Sequence, residues 1–211
     1  YIKGAFLDAD KAFEVINGMR TVELRVLLKA INTLVLARAL AAHPAINVQC
    51  SAVEGNENYT LRERLMYLGL PAPLFTIDLD TEMGRRISRH AFQRFFDCLE
   101  PAFGLQVTLG QVNTVVVCPA LTSHSELSDE ALRQAGISLT TIRIAVGDED
   151  PRGLLAHLMQ AAELALEPEC PGFSRHFGQP QAIDALYEST YVDVHRRYAA
   201  SRPRMQQMLS P

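Results

Sequence analysis

The 211-residue chain is 48% hydrophobic and 21% charged, with a net charge of −4 and a pI near 5.9. That describes a globular chain of one or two domains with a sizeable core, and the absence of a basic excess argues against a nucleic-acid partner. The 20 basic residues are 17 Arg and three Lys, and Lys3, Lys11 and Lys29 all lie before position 30. Any Schiff-base chemistry in this chain must use one of those three.

In chain order, 12–42 reads as helix: it is rich in Leu and Ala, and Ile31, Leu34 and Val35 keep helical spacing, with Gly18 as the expected kink. Pro44 ends it, because proline disfavours the helical conformation of the residue before it. Glu23, Arg25, Lys29 and Arg38, spread through 22–42, exclude a membrane span. A short strand is expected at 46–50, a polar loop at 51–58, a helix at 59–68 and an alternating strand at 74–79. Positions 83–99 form an amphipathic helix with Phe92, Phe95 and Leu99 on its apolar stripe. Further strands are expected at 105–107, at the β-branched run 114–117 and at 141–146. Between the last two, a short helix at 128–134 starts at Ser128 and ends before Gly136. Asp150 and Pro151 open a helix to 166, and another is expected over 180–200. Strands separated by helices imply an α+β fold, a two-layer domain with one sheet covered by helices mainly on one face.

The candidate chemistry is sparse. Cys50, Cys98, Cys118 and Cys170 have no metal or redox spacing and read as reduced thiols behaving as small hydrophobes. No nucleophile elbow, Walker loop, dinucleotide fingerprint or zinc helix motif is present. His124 lies in a polar turn, Asp8 and Asp10 suit helix capping, and Asp148, Glu149 and Asp150 suit a solvated helix start. Arg143 stands apart. On a strand between Ile142 and Ile144 it is placed either as a rigid bidentate clamp for a carboxylate or as a cross-strand charge. The chain opens Tyr-Ile-Lys-Gly-Ala, without an initiator Met or a signal-peptide hydrophobic region, and so reads as an excised or processed piece of a cytoplasmic protein.

The run Cys118-Pro119-Ala120-Leu121-Thr122-Ser123-His124, then Gly136-Ile137-Ser138, then Ile142-Arg143-Ile144-Ala145-Val146-Gly147-Asp148-Glu149-Asp150 resembles the C-terminal part of the cysteine/methionine metabolism enzymes that use pyridoxal phosphate (PLP). Upstream, Asp8-Ala9-Asp10-Lys11-Ala12-Phe13, Asn17-Gly18-Met19-Arg20-Thr21 and Thr108-Leu109-Gly110 are similar to that family's motifs in the same order. The family comprises cystathionine γ-synthase, cystathionine and methionine lyases, and O-acetylhomoserine sulfhydrylase. The resemblance implies the small C-terminal domain of a fold-type I PLP enzyme over 1–166, with 167–211 as an unmatched, partly helical tail. It implies that Arg143 grips the α-carboxylate of an amino-acid substrate, that Thr108 lies against substrate and cofactor lysine, partly through its backbone, and that Asn113 lines the side-chain end of the substrate.

The same resemblance places the PLP lysine in a Ser-x-Ser/Thr-Lys motif, which none of Lys3, Lys11 and Lys29 matches. No catalytic residue and no covalent PLP are therefore expected on this chain. An N-terminal PLP-binding domain is expected as its partner, in a homo-oligomer. Asn113 stands where the family has Glu, a loss of an acid expected to bear on β- against γ-selectivity, and Cys118 stands where the family has His. An alternative reading is a non-catalytic module for assembly or amino-acid sensing derived from that family.

Overall fold

The computed structural model describes residues 7–79 and 87–202. Lys3 and the expected start of a helix at 83 lie outside the described residues. The long N-terminal helical stretch is two helices, α1 (Ala9–Arg20) and α2 (Val22–Ala41). The break falls at Thr21 rather than at Gly18. The Thr21 N–H and the Arg25 guanidinium both donate to the Gly18 carbonyl, so the chain turns one residue after α1 has ended. Asp8 caps α1 by accepting the Lys11 N–H at 2.9 Å.

Five strands make one sheet in the order β1 (Asn47–Gln49), β2 (Leu74–Asp78), β5 (Thr141–Ala145), β4 (Val115–Val117), β3 (Gly104–Leu105). All neighbours are antiparallel except β3 and β4, which run parallel. This is the α+β architecture expected, one sheet with helices packed on it, and its five strands lie at or beside the five expected runs. Register decides which residues share a face: Thr76 on β2, Arg143 on β5 and Val117 on β4 stand side by side. Because side chains alternate, Phe75, Ile77, Ile142, Ile144 and Val116 fall on the other face. There they join the core with residues of α2, α4 (Arg89–Asp97) and α6 (Pro151–Ala165).

Two expected helices are shorter than their patterns. The helix at 59 ends as α3 (Tyr59–Leu65), and a 3-10 turn comes next in which Leu68 takes a left-handed φ of 54°. α4 begins only after Ser88, whose hydroxyl accepts the Ala91 N–H. The caps read from sequence are formed: Ser128 accepts from Ala131 N–H at the start of α5 (Asp129–Gln134), and Asp150 from Arg152 N–H at the start of α6. Helix α7 (Pro180–Ser201) packs along α2 and buries Val194, while Phe173 and Phe177 are buried in the segment leading into it.

Candidate functional site

Arg143 sits at the middle of β5, flanked by strands on both sides, on the sheet face away from the helices. It is half-buried, and its Nη2 donates to the backbone carbonyl of Thr108 at 3.2 Å. No carboxylate pairs with it among the described residues. A guanidinium fixed on a central strand, with one N–H oriented by a carbonyl and the rest of its fork unpaired, is suited to bidentate capture of an incoming carboxylate.

Thr108 belongs to the loop 106–114, which has no regular structure of its own and is held at several points. Gln106 N–H donates to Gly104 O, Thr108 N–H to Gln106 O, and Asp148 N–H to Val112 O at 2.7 Å. Lys29 on α2 donates to the Gln111 carbonyl and lies 3.9 Å from Asp148. At the far end, Thr114 is fully buried. Its hydroxyl accepts the Gly147 N–H at 2.9 Å and donates to Glu149 at 2.8 Å. Asn32 on α2 donates to the carbonyls of Gly147 and Glu149, closing the network from below.

The structure therefore brings together two of the three expected site residues, Arg143 and Thr108, and does so through the backbone of Thr108. Asn113 lies on the same loop but is exposed, and no hydrogen bond joins it to the other two among the described residues. A methyl group added to Gly104 would sit 2.9 Å from the Asn113 amide nitrogen, so that glycine leaves the room Asn113 uses. His124 is in a turn, its Nδ1 2.8 Å from Ser123 Oγ. Burial pushes the Cys50 and Cys118 thiols up from their ordinary range, as inert buried thiols require.

The acidic run 148–150 is only in part a solvated helix start. Asp150 is the cap, and its carboxyl is held below the usual range chiefly by the Arg152 guanidinium. Asp148 faces Lys29 and Glu149 turns inward onto Thr114. One local cue marks Glu149: it directly precedes the cap, at a strand-to-helix turn where inward carboxylates can serve exposed backbone N–H groups. Its partner, 35 residues away, carries no such cue.

Residues 1–163 match the Cys/Met metabolism PLP-dependent enzyme family. The chain belongs to that family. It is 29% identical over 154 residues to homocysteine synthase of Schizosaccharomyces pombe, covering 72% of this chain and 34% of the relative. To L-methionine gamma-lyase of Pseudomonas deceptionensis it is 32% identical over 161 residues, covering 76% and 38%. Among solved structures, a putative O-acetylhomoserine (thiol)-lyase of Campylobacter jejuni, carrying a pyridoxyl-lysine, superposes with a TM-score of 0.65 at 28% identity. That match covers 76% of this chain and 36% of the other. Cystathionine gamma synthase of Xanthomonas oryzae in complex with cystathionine gives a TM-score of 0.61 at 27% identity, with 74% and 38% covered. The relatives are PLP-dependent enzymes of fold type I, and this chain spans between a third and two-fifths of their length. No helix among the described residues is long and apolar enough to cross a membrane.

Proposed function

We propose that this chain is the C-terminal, substrate-carboxylate-binding domain of a cytoplasmic PLP-dependent transsulfuration enzyme that carries out elimination or replacement on cystathionine or an O-acylhomoserine. The observation that carries this reading is the unpaired fork of Arg143, held on a central strand and oriented by the Thr108 carbonyl. A carboxylate docked there is fixed in plane by two parallel N–H donors, which sets the orientation of the adjoining α-carbon. The loop 106–114, held by Lys29, Thr114 and Glu149, keeps the Thr108 carbonyl where it aims that fork. Asn113 lies further along the same loop, toward the leaving-group end of the substrate in this reading.

The donors described here fit the substrate and not the cofactor's anchor. Lys11 pairs with Glu14 on exposed α1, and Lys29 is engaged by Gln111 and Asp148. When bound in the assembled enzyme, PLP supplies the electron sink at the α-carbon, and this chain's residues bind and orient. A covering partner is favoured by the exposed apolar side chains of α1 and of the loop. No residue of α1 is buried, and Phe13, Met19, Leu109 and Val112 are each more than 60% exposed. Large apolar side chains left open in this way suit an interface with the PLP-binding domain and with further subunits.

A second reading, a non-catalytic assembly or amino-acid-sensing module, is favoured by Asn113 at the position of the family's acid and by helix α7 beyond the family match.

The test compares two preparations, the 211-residue chain and the same chain extended by the coding sequence upstream of Tyr1. Each is incubated with PLP and borohydride, then assayed for release of a 2-oxo acid from cystathionine. The expected result is a trapped pyridoxyl adduct and turnover in the extended protein only. An adduct on Lys3, Lys11 or Lys29 accompanied by turnover in the 211-residue chain would overturn the reading. Adduct and turnover absent from both would favour the non-catalytic module.

A further inference from the structure

Two of the 22 residues of α7, Thr190 and Val194, are buried. The Thr190 hydroxyl is sealed in without a hydrogen-bond partner among the described residues, which is destabilising. Ile183, Leu186, Tyr187 and Tyr198 reach the core only in part. The ion pairs that tie the helix to other elements, Asp184 with Arg152 at 3.2 Å and Arg197 with Glu63 at 3.6 Å, join half-exposed side chains and so add little. A helix docked this shallowly can be held or released by a single anchor.

The anchor lies at its start. His43, just after α2 and 1% exposed, places its ring against Phe173 and Phe177 at centroid distances of 4.5 and 4.9 Å. As a neutral ring it uses both nitrogens, accepting the Ala45 N–H and donating to the Phe173 carbonyl. A proton added at Nδ1 would set a second donor against the Ala45 N–H and leave a charge between two phenylalanines. No carboxylate pairs with the ring among the described residues. The charged groups on the surrounding elements are His176, edge-on at 5.6 Å, Arg175 on the same 3-10 turn, Glu167 after α6, and Arg38 on α2. Glu167 is turned onto the N–H groups of Gly172 and Ser174, with Arg175 beside it, and Arg38 is anchored on the Ala52 carbonyl. That leaves His176, which when charged opposes protonation of His43.

We propose that His43 is an acid-operated latch on α7: when the ring takes up a proton it leaves the gap between Phe173 and Phe177, and α7 swings off α2 about the link 177–179. The backbone is extended at Phe177 and Gln179, with exposed Gly178 between them, a short connection of the kind that absorbs a change in backbone angles. The turn 172–174 stays in place, because Glu167 holds it independently of the ring. Leu34 of α2, which lines the cleft between the helices together with Val194, is uncovered. Burial, aided by His176, keeps the docked ring below its ordinary 6.5, whereas the released ring returns to that value. Docking therefore has its full strength above about pH 6.5 and weakens as pH falls toward the lowered value. The latch acts on the helix beyond the family match and does not depend on the PLP activity proposed above.

The test is backbone amide exchange in the 211-residue chain at pH 7.5 and 5.5, each rate divided by the intrinsic rate at that pH. Amides of α7 are expected to exchange through an opening that depends little on urea and to lose protection by up to about tenfold between the two pH values, as one linked proton allows. Amides of α6 and β5 are expected to exchange more slowly, through a urea-dependent opening. His43→Gln is expected to abolish the pH-dependent loss on α7, and His176→Gln to retain it. Openings of α7 as rare and as urea-dependent as those of α6 would mean that the helix leaves only with the whole fold, and would overturn the proposal. So would equal α7 protection at the two pH values, a loss that persists in His43→Gln, or one that disappears in His176→Gln. Should the His43 variant fail to fold, the urea dependence and the His176 variant decide.

Discussion

Glu149 accepts the Thr114 backbone N–H with both carboxylate oxygens, at 2.7 and 2.9 Å, and the Thr114 hydroxyl at 2.8 Å. This clamp spans 35 residues and joins the end of the loop bearing Thr108 to the turn that starts α6. Thr114→Val keeps the volume but deprives the buried Gly147 N–H of its acceptor. Stranding such a donor costs about 1–3 kcal/mol, so the urea midpoint is expected to fall by a corresponding amount. A midpoint equal to that of the unsubstituted chain would show that the loop is held by its other contacts alone.

The Arg143 side chain makes one hydrogen bond to the rest of the described protein and has no carboxylate partner there to leave behind. Arg143→Ala is therefore expected to change stability little. In the assembled enzyme it removes the bidentate contact, at about 2–5 kcal/mol of transition-state binding in kcat/KM. Arg143→Lys keeps the charge without the planar fork and should fall between the two. Unchanged kcat/KM in the Ala variant would remove Arg143 from the site.

These two residues differ in how far the sequence reveals them. Arg143 is visible because an arginine between two isoleucines on a strand must point to the face opposite the core, and because its neighbours match a family motif. The caps at Asp8, Ser128 and Asp150 obey similarly local rules, whereas the strand order β1-β2-β5-β4-β3 joins segments far apart in the chain. The pairing of Thr114 with Glu149, and of Lys29 with Gln111, depends on how a loop without periodicity folds back, which no local pattern encodes. The same limit explains the helix ends. The break at Thr21 and the left-handed Leu68 are set by contacts such as Arg25 on the Gly18 carbonyl, while residue spacing alone lets both helices run on.

His43 predicts a pH dependence. Its Nδ1 accepts the Ala45 N–H at 3.1 Å, so Nε2 carries the hydrogen it donates to the Phe173 carbonyl at 2.9 Å. Both nitrogens are used by the neutral ring, and burial, aided by nearby His176, pushes its pKa below the ordinary 6.5. Below pH 6.5 the unfolded chain binds a proton that the folded chain refuses, so stability falls with pH from about 6.5 down to the depressed folded value. Thermal midpoints measured from pH 7.5 to 5 should show this slope, and His43→Gln should flatten it. An equally steep slope in the variant would assign the effect to another group.

Glu167 acts in a separate, more acidic window. Its carboxylate accepts the backbone N–H groups of Ser174 and Gly172, which hold its pKa below the ordinary 4.5. The contribution is present above pH 4.5 and disappears as pH falls through the lowered value. Glu167→Gln is expected to remove this acid-side loss while leaving the slope near pH 6 unchanged. Loss of both slopes together would mean that His43 and the 172–174 turn release as one unit.

Cutting the chain after residue 166 tests whether residues 167–211 are an appendage or part of the core. The segment removed contains Phe173, Phe177 and Val194, all buried against the domain. Phe173 and Phe177 enclose the ring of His43 at centroid distances of 4.5 and 4.9 Å. Burying side chains of this kind contributes about 1.5–3 kcal/mol each, so three of them together approach the roughly 5–15 kcal/mol that separates a folded domain from its unfolded state. The 1–166 piece is therefore expected to melt at a much lower temperature by circular dichroism and to bind a hydrophobic dye along the exposed face of α2. Equal melting temperatures for the two lengths would mean that the family-matched portion is stable by itself. Helix α7 would then contribute surface and not support.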